Sequence, residues 1–198
     1  MSKRRAISTT LLLIALSLSS IYSANAVTTI TKVYDGDTIT LATGERVRLL
    51  QIDTPELSSA ECYAQEARSA LVSLLNTPGQ LSLKTDSKLD KVDRYGRLLR
   101  YVFIGKTNIN LKLVEIGAAA PYFYKGDKGQ YSTQILKAAQ TAKSKSIGLW
   151  KSCPGTQLTP NDAVTTLSTA VTTTASASST GLKCDPNYAG CIPVFPPD

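Results

Sequence analysis

The 198-residue chain carries 22 Lys and Arg against 15 Asp and Glu, a formal net charge of +7, and contains no histidine. Without histidine, Ser-His-Asp hydrolysis, paired-histidine ribonuclease chemistry and histidine-metal nuclease sites are excluded as ordinarily built, so any hydrolysis must run on carboxylates, cations and metal. The excess of cations suits a polyanionic partner, because phosphate contacts by Lys and Arg release counterions, but charge by itself selects no function.

Lys3, Arg4 and Arg5 precede an apolar stretch over 11–22 and the small-x-small sequence Ala24-Asn25-Ala26, the pattern of a secretory signal peptide over 1–26. The apolar run is about a dozen residues, short of the roughly 20 needed to cross a bilayer. The mature chain is therefore expected to begin near Val27 as a secreted or periplasmic protein, a monomer with no stable membrane insertion. The three signal cations and a segment beyond 155 that carries −2 leave +6 on residues 27–155.

From 27 to 52 the pattern is β, rich in Thr, Ile and Val, with breaks at Asp35-Gly36 and Thr43-Gly44. It predicts strands over 27–34, 37–43 and 46–52. The period then changes: Tyr63, Ala67, Ala70, Leu71, Leu74 and Leu75 form a helical stripe within 60–76, ended by Asn76-Thr77-Pro78-Gly79. Strands follow near 80–86 and 97–104, then a short helix over 108–115 stopped by Gly117. A third helix over 132–145 groups Ile135, Ala139 and Ala142. This order predicts a mainly β, α+β domain: a five-stranded Greek-key barrel of the OB type with three α-helices.

After Pro154-Gly155 the composition turns to Thr, Ser and Ala, which predicts a compact domain over 27–155, a linker over 156–183 and a short cysteine-containing tail over 184–198. Cys62, Cys153, Cys184 and Cys191 allow three disulfide connectivities. Cys62 with Cys153 and Cys184 with Cys191 is favoured, since the first two lie in the compact domain and the others in the tail. The chain has no CxxC spacing to suggest zinc.

Three segments carry the chemistry: Asp35-Gly36-Asp37-Thr38, then Arg48-Leu-Leu-Gln-Ile-Asp53-Thr54-Pro55-Glu56, and Asp93-Arg94-Tyr95-Gly96-Arg97. By strand parity Asp37 shares a face with Ile39 and Leu41, and Arg48 with Leu50 and Ile52, so two charges stand where alternation predicts apolar neighbours. Such charges form a buried salt bridge or a functional cluster, and Asp53 and Glu56 nearby favour the second.

Taken together and in this order, the DGDT turn, the RLLxxDTPE segment and the D-[KR]-YGR turn resemble the staphylococcal nuclease (thermonuclease) family over roughly residues 27–152. The resemblance implies a Ca²⁺-dependent nuclease for DNA and RNA that leaves 3′-phosphates. It implies Asp37, Asp53 and the Thr54 carbonyl oxygen as metal ligands, with Asp35 a turn residue beside them. Arg48 and Arg97 would clamp the phosphate with bidentate guanidinium forks, and Glu56 would orient or deprotonate the attacking water. Tyr122 and Tyr124, in Ala-Pro-Tyr-Phe-Tyr, and Tyr95 would contact the nucleotide. The loop after Glu56 is shorter than in the archetype and carries Cys62. The competing reading is a non-catalytic nucleic-acid-binding OB module. Relatives of that kind generally lose metal or arginine positions, whereas all five charged positions are present here.

Overall fold

The computed structural model describes residues 28–166. Strands β1 (Ile30–Val33), β2 (Thr38–Leu41) and β3 (Arg46–Leu49) form an antiparallel meander whose turns fall at the two expected glycine breaks. The third strand ends earlier than the sequence pattern predicts. Gln51 takes a left-handed conformation, φ 63°, and the chain kinks before resuming as the two-residue β4 (Ile52–Asp53). The parity that placed Arg48 on one face with Leu50 and Ile52 is broken there, although both apolar residues are buried.

The chain then forms α1 (Ala64–Leu75), β5 (Leu81–Lys84) and β6 (Leu98–Ile104). The first half of β6 pairs parallel with β3, matching Arg48 to Leu99, and its second half pairs antiparallel with β5. The resulting order, β1-β2-β3-β6-β5, is a mixed sheet curled into the partly open barrel of an OB-fold. A groove lined by both β1 and β5 marks the open seam. Ala67 and Leu71 of α1 are fully buried, and Tyr63, Ala70, Leu74 and Leu75 pack beside them, so the helical stripe faces the core as its period predicts. The helix starts four residues late because Ala60 and Tyr63 both have positive φ.

Beyond β6, a short β7 (Thr107–Asn108) leads into α2 (Ile109–Glu115), where the Asn108 side chain caps the helix by accepting the Leu111 N–H at 3.2 Å. The segments β8 (Ala120–Pro121), α3 (Ser132–Ser144) and α4 (Leu149–Ser152) complete the domain. The three expected helices lie within a few residues of their predicted bounds. The strands β4, β7 and β8 and the helix α4 are too short to show a period. The core gathers Ile39, Val47, Leu49, Tyr101, Leu113 and Ile135 between barrel and helices. Among the described residues no helix is long and apolar enough to cross a membrane.

Cys62 and Cys153 form a disulfide, with Cα atoms 5.9 Å apart, that ties the approach to α1 to the end of α4. Closing a loop with a sequence separation of 91 stabilises by about 4–5 kcal/mol in the chain-entropy model. The expected Cys184–Cys191 pair and the 1–26 segment lie outside the described residues. The chain expected to become a linker at 156 instead remains packed on the domain as far as 166. Thr156, Val164 and Thr166 are buried, and the Thr156 hydroxyl donates to the Cys153 carbonyl at 2.7 Å. A Thr-rich segment can do this because its hydroxyls and backbone groups find partners.

Candidate active site

Arg48 is the hub. From the middle of β3 its Nη1 donates to the carbonyls of Leu49 at 2.8 Å and Ile52 at 2.7 Å, so the side chain fills the kink at Gln51. Its Nε lies 3.0 Å from Asp37 Oδ1 and its Nη2 2.5 Å from Asp53 Oδ1. Four of the five guanidinium N–H groups are thereby engaged. One Nη2 hydrogen remains for a phosphate, so a bidentate grip at Arg48 requires Asp53 to release it.

Asp37 is held by the DGDT turn itself. Asp35 Oδ1 accepts the Asp37 N–H at 3.0 Å, and Asp37 Oδ2 accepts the Thr54 N–H at 3.0 Å and the Thr54 hydroxyl at 3.2 Å. The glycine between the two aspartates is fixed by space: a Cβ on Gly36 would lie 2.8 Å from Thr54 Cγ2 and 2.9 Å from Ala67 Cβ. The turn is therefore pressed between the Asp53-Thr54 segment and α1, and that contact sets how close the two aspartates come.

Arg97 sits on a turn built by Asp93, one carboxylate oxygen of which accepts the N–H groups of Tyr95 and Arg97, both at 2.9 Å. Gly96 supplies the positive φ, 79°, that the turn needs. The other oxygen of Asp93 takes Arg97 Nε at 2.6 Å, which leaves the two Nη groups as the working end. Arg97 stands just ahead of β6, whose parallel register with β3 begins at Leu98 opposite Val47, and it lines the same cleft as Arg48. Tyr95 is exposed, with the Arg94 and Arg97 guanidinium groups over its ring at 4.7 and 5.5 Å.

The tyrosines reach the same place through β8, which pairs Pro121 with Ile52 and Ala120 with Asp53. The Tyr122 N–H extends the pairing by donating to the Gln51 carbonyl at 2.9 Å, and the rings of Tyr122 and Tyr124 lie 6.4 Å apart. Gln51 also anchors the following loop, its amide donating to the Asp127 carbonyl at 2.9 Å and accepting the Gly129 N–H at 3.1 Å.

A cleft of about 450 Å³ joins these parts. Arg48, Asp53, Glu56 and Arg97 line it together with Tyr95, Tyr122 and Tyr124, while Asp37 and Thr54 lie behind Arg48 and Asp53. Glu56 stands exposed at the rim. Sequence reasoning did not single out Gln51, Asp93 as the anchor of Arg97, or Val164, whose N–H donates to Asp53 Oδ2 at 2.8 Å. The first two occur inside the motifs, and only their partners give them meaning. Val164 carries no sequence signal.

Burial dominates the electrostatics of the clustered carboxylates. Burial holds the Asp37 carboxyl well above the usual carboxylate range; Arg48 pulls against this, and Asp35 and Asp53 add to it. Burial likewise raises Asp53, opposed by Arg48 and by the Val164 N–H. Partial desolvation raises Glu56, and the charges of Asp35 and Asp53 add to it. Asp35, Asp37, Asp53 and Glu56 all lie within the electrostatic reach of Arg48, and Glu61 adds repulsion at Asp53 and Glu56. Among the described residues no three acidic, cysteine or histidine side chains converge as a metal cluster. A donor set of two carboxylates supplemented by a carbonyl and water is nevertheless all hard oxygen, and it fits a modest-affinity divalent site.

Residues 46–152 match the family model described as staphylococcal nuclease homologue. An uncharacterized endonuclease of Haemophilus influenzae is 36% identical over 156 residues, 76% of this chain and 80% of that protein. Endonuclease YncB of Bacillus subtilis is 33% identical over 129 residues, 62% of this chain and 60% of its own. Thermonuclease of Staphylococcus intermedius is 33% identical over 126 residues, 61% of this chain and 73% of its own. With the OB-fold and the clustered arginines and carboxylates, these matches establish that the chain belongs to the staphylococcal nuclease family and is a nuclease, a hydrolase of phosphodiester bonds.

Proposed function

We propose that this nuclease is Ca²⁺-dependent, cleaves both DNA and RNA with a preference for single-stranded or frayed regions, and leaves 3′-phosphates. The observation that carries the reading is the arrangement of Arg48, Arg97 and Glu56 around one cleft, backed by the paired carboxylates of Asp37 and Asp53. Arg48 and Arg97 hold the phosphate, and their grip strengthens as charge builds in the transition state. Glu56 orients the attacking water or takes its proton, a role that suits a carboxyl with raised proton affinity. Tyr95, Tyr122 and Tyr124 stack on bases and offer hydroxyls, contacts that accept any base. Asp37, Asp53 and the Thr54 carbonyl hold the ion. An ion held there would supply the positive charge that polarises the phosphate and offsets its developing charge. Export through the 1–26 signal, to the periplasm or outside the cell, and action as a monomer belong to the same proposal.

The test uses 5′-labelled single-stranded DNA and RNA with Ca²⁺, with Mg²⁺ and with the chelator EGTA. Cleavage of both with Ca²⁺, poor rescue by the smaller and geometrically stricter Mg²⁺, and fragments ending in 3′-phosphate are expected. Full activity in EGTA, or 3′-hydroxyl ends, would overturn the reading.

A further inference from the structure

The segment 156–166 runs from one half of the disulfide to the other. It begins shortly after Cys153, which follows α4, and at its end the Thr166 hydroxyl donates to the Cys62 carbonyl at 2.8 Å. Between these anchors it touches the site twice. The Pro160 carbonyl accepts the N–H of Phe123, the residue between Tyr122 and Tyr124, at 2.6 Å. The Val164 N–H donates to Asp53 Oδ2 at 2.8 Å, and Ala163 forms part of the cleft wall. Val164 and Thr166 are buried, and the bond from Val164 to Asp53 is shielded from water.

Asp53 is thereby gripped from both sides, Oδ1 by Arg48 and Oδ2 by a backbone donor that lies 111 residues away in sequence. A strap that merely covered apolar surface would need no donor aimed at a carboxylate. We propose that residues 156–166 are a positioning strap for the active site, with the Val164 N–H as the group that fixes the orientation of Asp53. Groups of this kind, which orient a ligand without touching the metal, typically change metal affinity 10–100-fold when removed. The inference rests on the reading of Asp53 as a ligand of a divalent cation.

Val164→Pro in the full chain removes the N–H, and Val164→Ala keeps it. Calcium titration by calorimetry should show the dissociation constant raised about tenfold or more in Val164→Pro and unchanged in Val164→Ala. Without metal, amide exchange over residues 52–56 should accelerate in the proline variant only. Wild-type affinity in Val164→Pro would overturn the proposal. A wild-type chain that binds no Ca²⁺ would defeat the calcium reading instead, and the strap would then be judged by exchange, with unchanged protection over 52–56 counting against it. Should the proline variant fail to fold, Thr166→Val, which frees the strap's end at similar volume, decides by the same titration. A weakened affinity supports the strap, and an unchanged one overturns it.

Discussion

Arg48 and Asp53 meet at 2.5 Å across the kink at Gln51, and the same guanidinium reaches Asp37 on the neighbouring turn at 3.0 Å. One side chain thus closes the strand break, spaces the two aspartates and presents its remaining N–H to the cleft. Its removal would leave two buried carboxylates without their counter-charge, held only by neutral donors from Thr38, Thr54 and Val164.

Arg48→Ala is therefore expected to destabilise the metal-free protein by about 3–5 kcal/mol, the usual cost of breaking a buried ion pair from one side. Urea unfolding checks this. Arg48→Lys keeps the charge, but a compact ammonium cannot span both carboxylates and both carbonyls, and turnover should fall by at least about 10²-fold. Wild-type turnover in the lysine variant would refute the phosphate role.

Gly36→Ala tests how the DGDT turn is packed. Its Cβ would meet Thr54 and Ala67 within 3 Å, and overpacking of this order costs about 1–3 kcal/mol. Because the side chain pushed aside belongs to the Asp53-Thr54 segment, activity should fall together with melting temperature. A variant as stable and active as wild type would show that the turn has room to move.

Part of the acid sensitivity should reside at Asp86. Burial alone would raise its pKa, but the N–H groups of Lys88 and Gln130 and the Tyr101 hydroxyl outweigh this and hold it below the usual carboxylate range. In the unfolded chain an aspartate titrates near about 3.9. The folded value is the lower one, so its stabilisation is complete above about pH 4 and is lost as pH falls through the folded value. Asp86→Asn should melt below wild type at neutral pH, and the gap should narrow in acid. A gap that does not change with pH would contradict the assignment.

Much of this was legible in the sequence, for identifiable reasons. The barrel strands and three helices announce themselves by period and by the glycine breaks between them. Asp37 stands out because it shares its parity with Ile39 and Leu41, whereas the parity expected for Arg48 fails at the Gln51 kink and only its motif marks it. What stayed hidden depends on partners far away in the chain. The left-handed Gln51 reads as an ordinary strand residue until its bonds to Asp127 and Gly129 are seen. The two-residue strands β4 and β8 are too short for any pattern, yet their pairing brings the tyrosines to Asp53. The packed segment beyond 155 has the composition of a linker, and a single backbone N–H from Val164 gives it a place in the site.

The central claim is that Glu56 and the clustered charges form a metal-dependent hydrolytic site. It is tested most directly by cleavage of denatured DNA with wild type and Glu56→Gln, each with Ca²⁺ and with EGTA, alongside oligonucleotide binding. Calcium-dependent cleavage by the wild type, lost by orders of magnitude in Glu56→Gln while binding persists, is the predicted result. Equal cleavage by both proteins, or a wild type that binds nucleic acid without cutting it under calcium, would contradict the account.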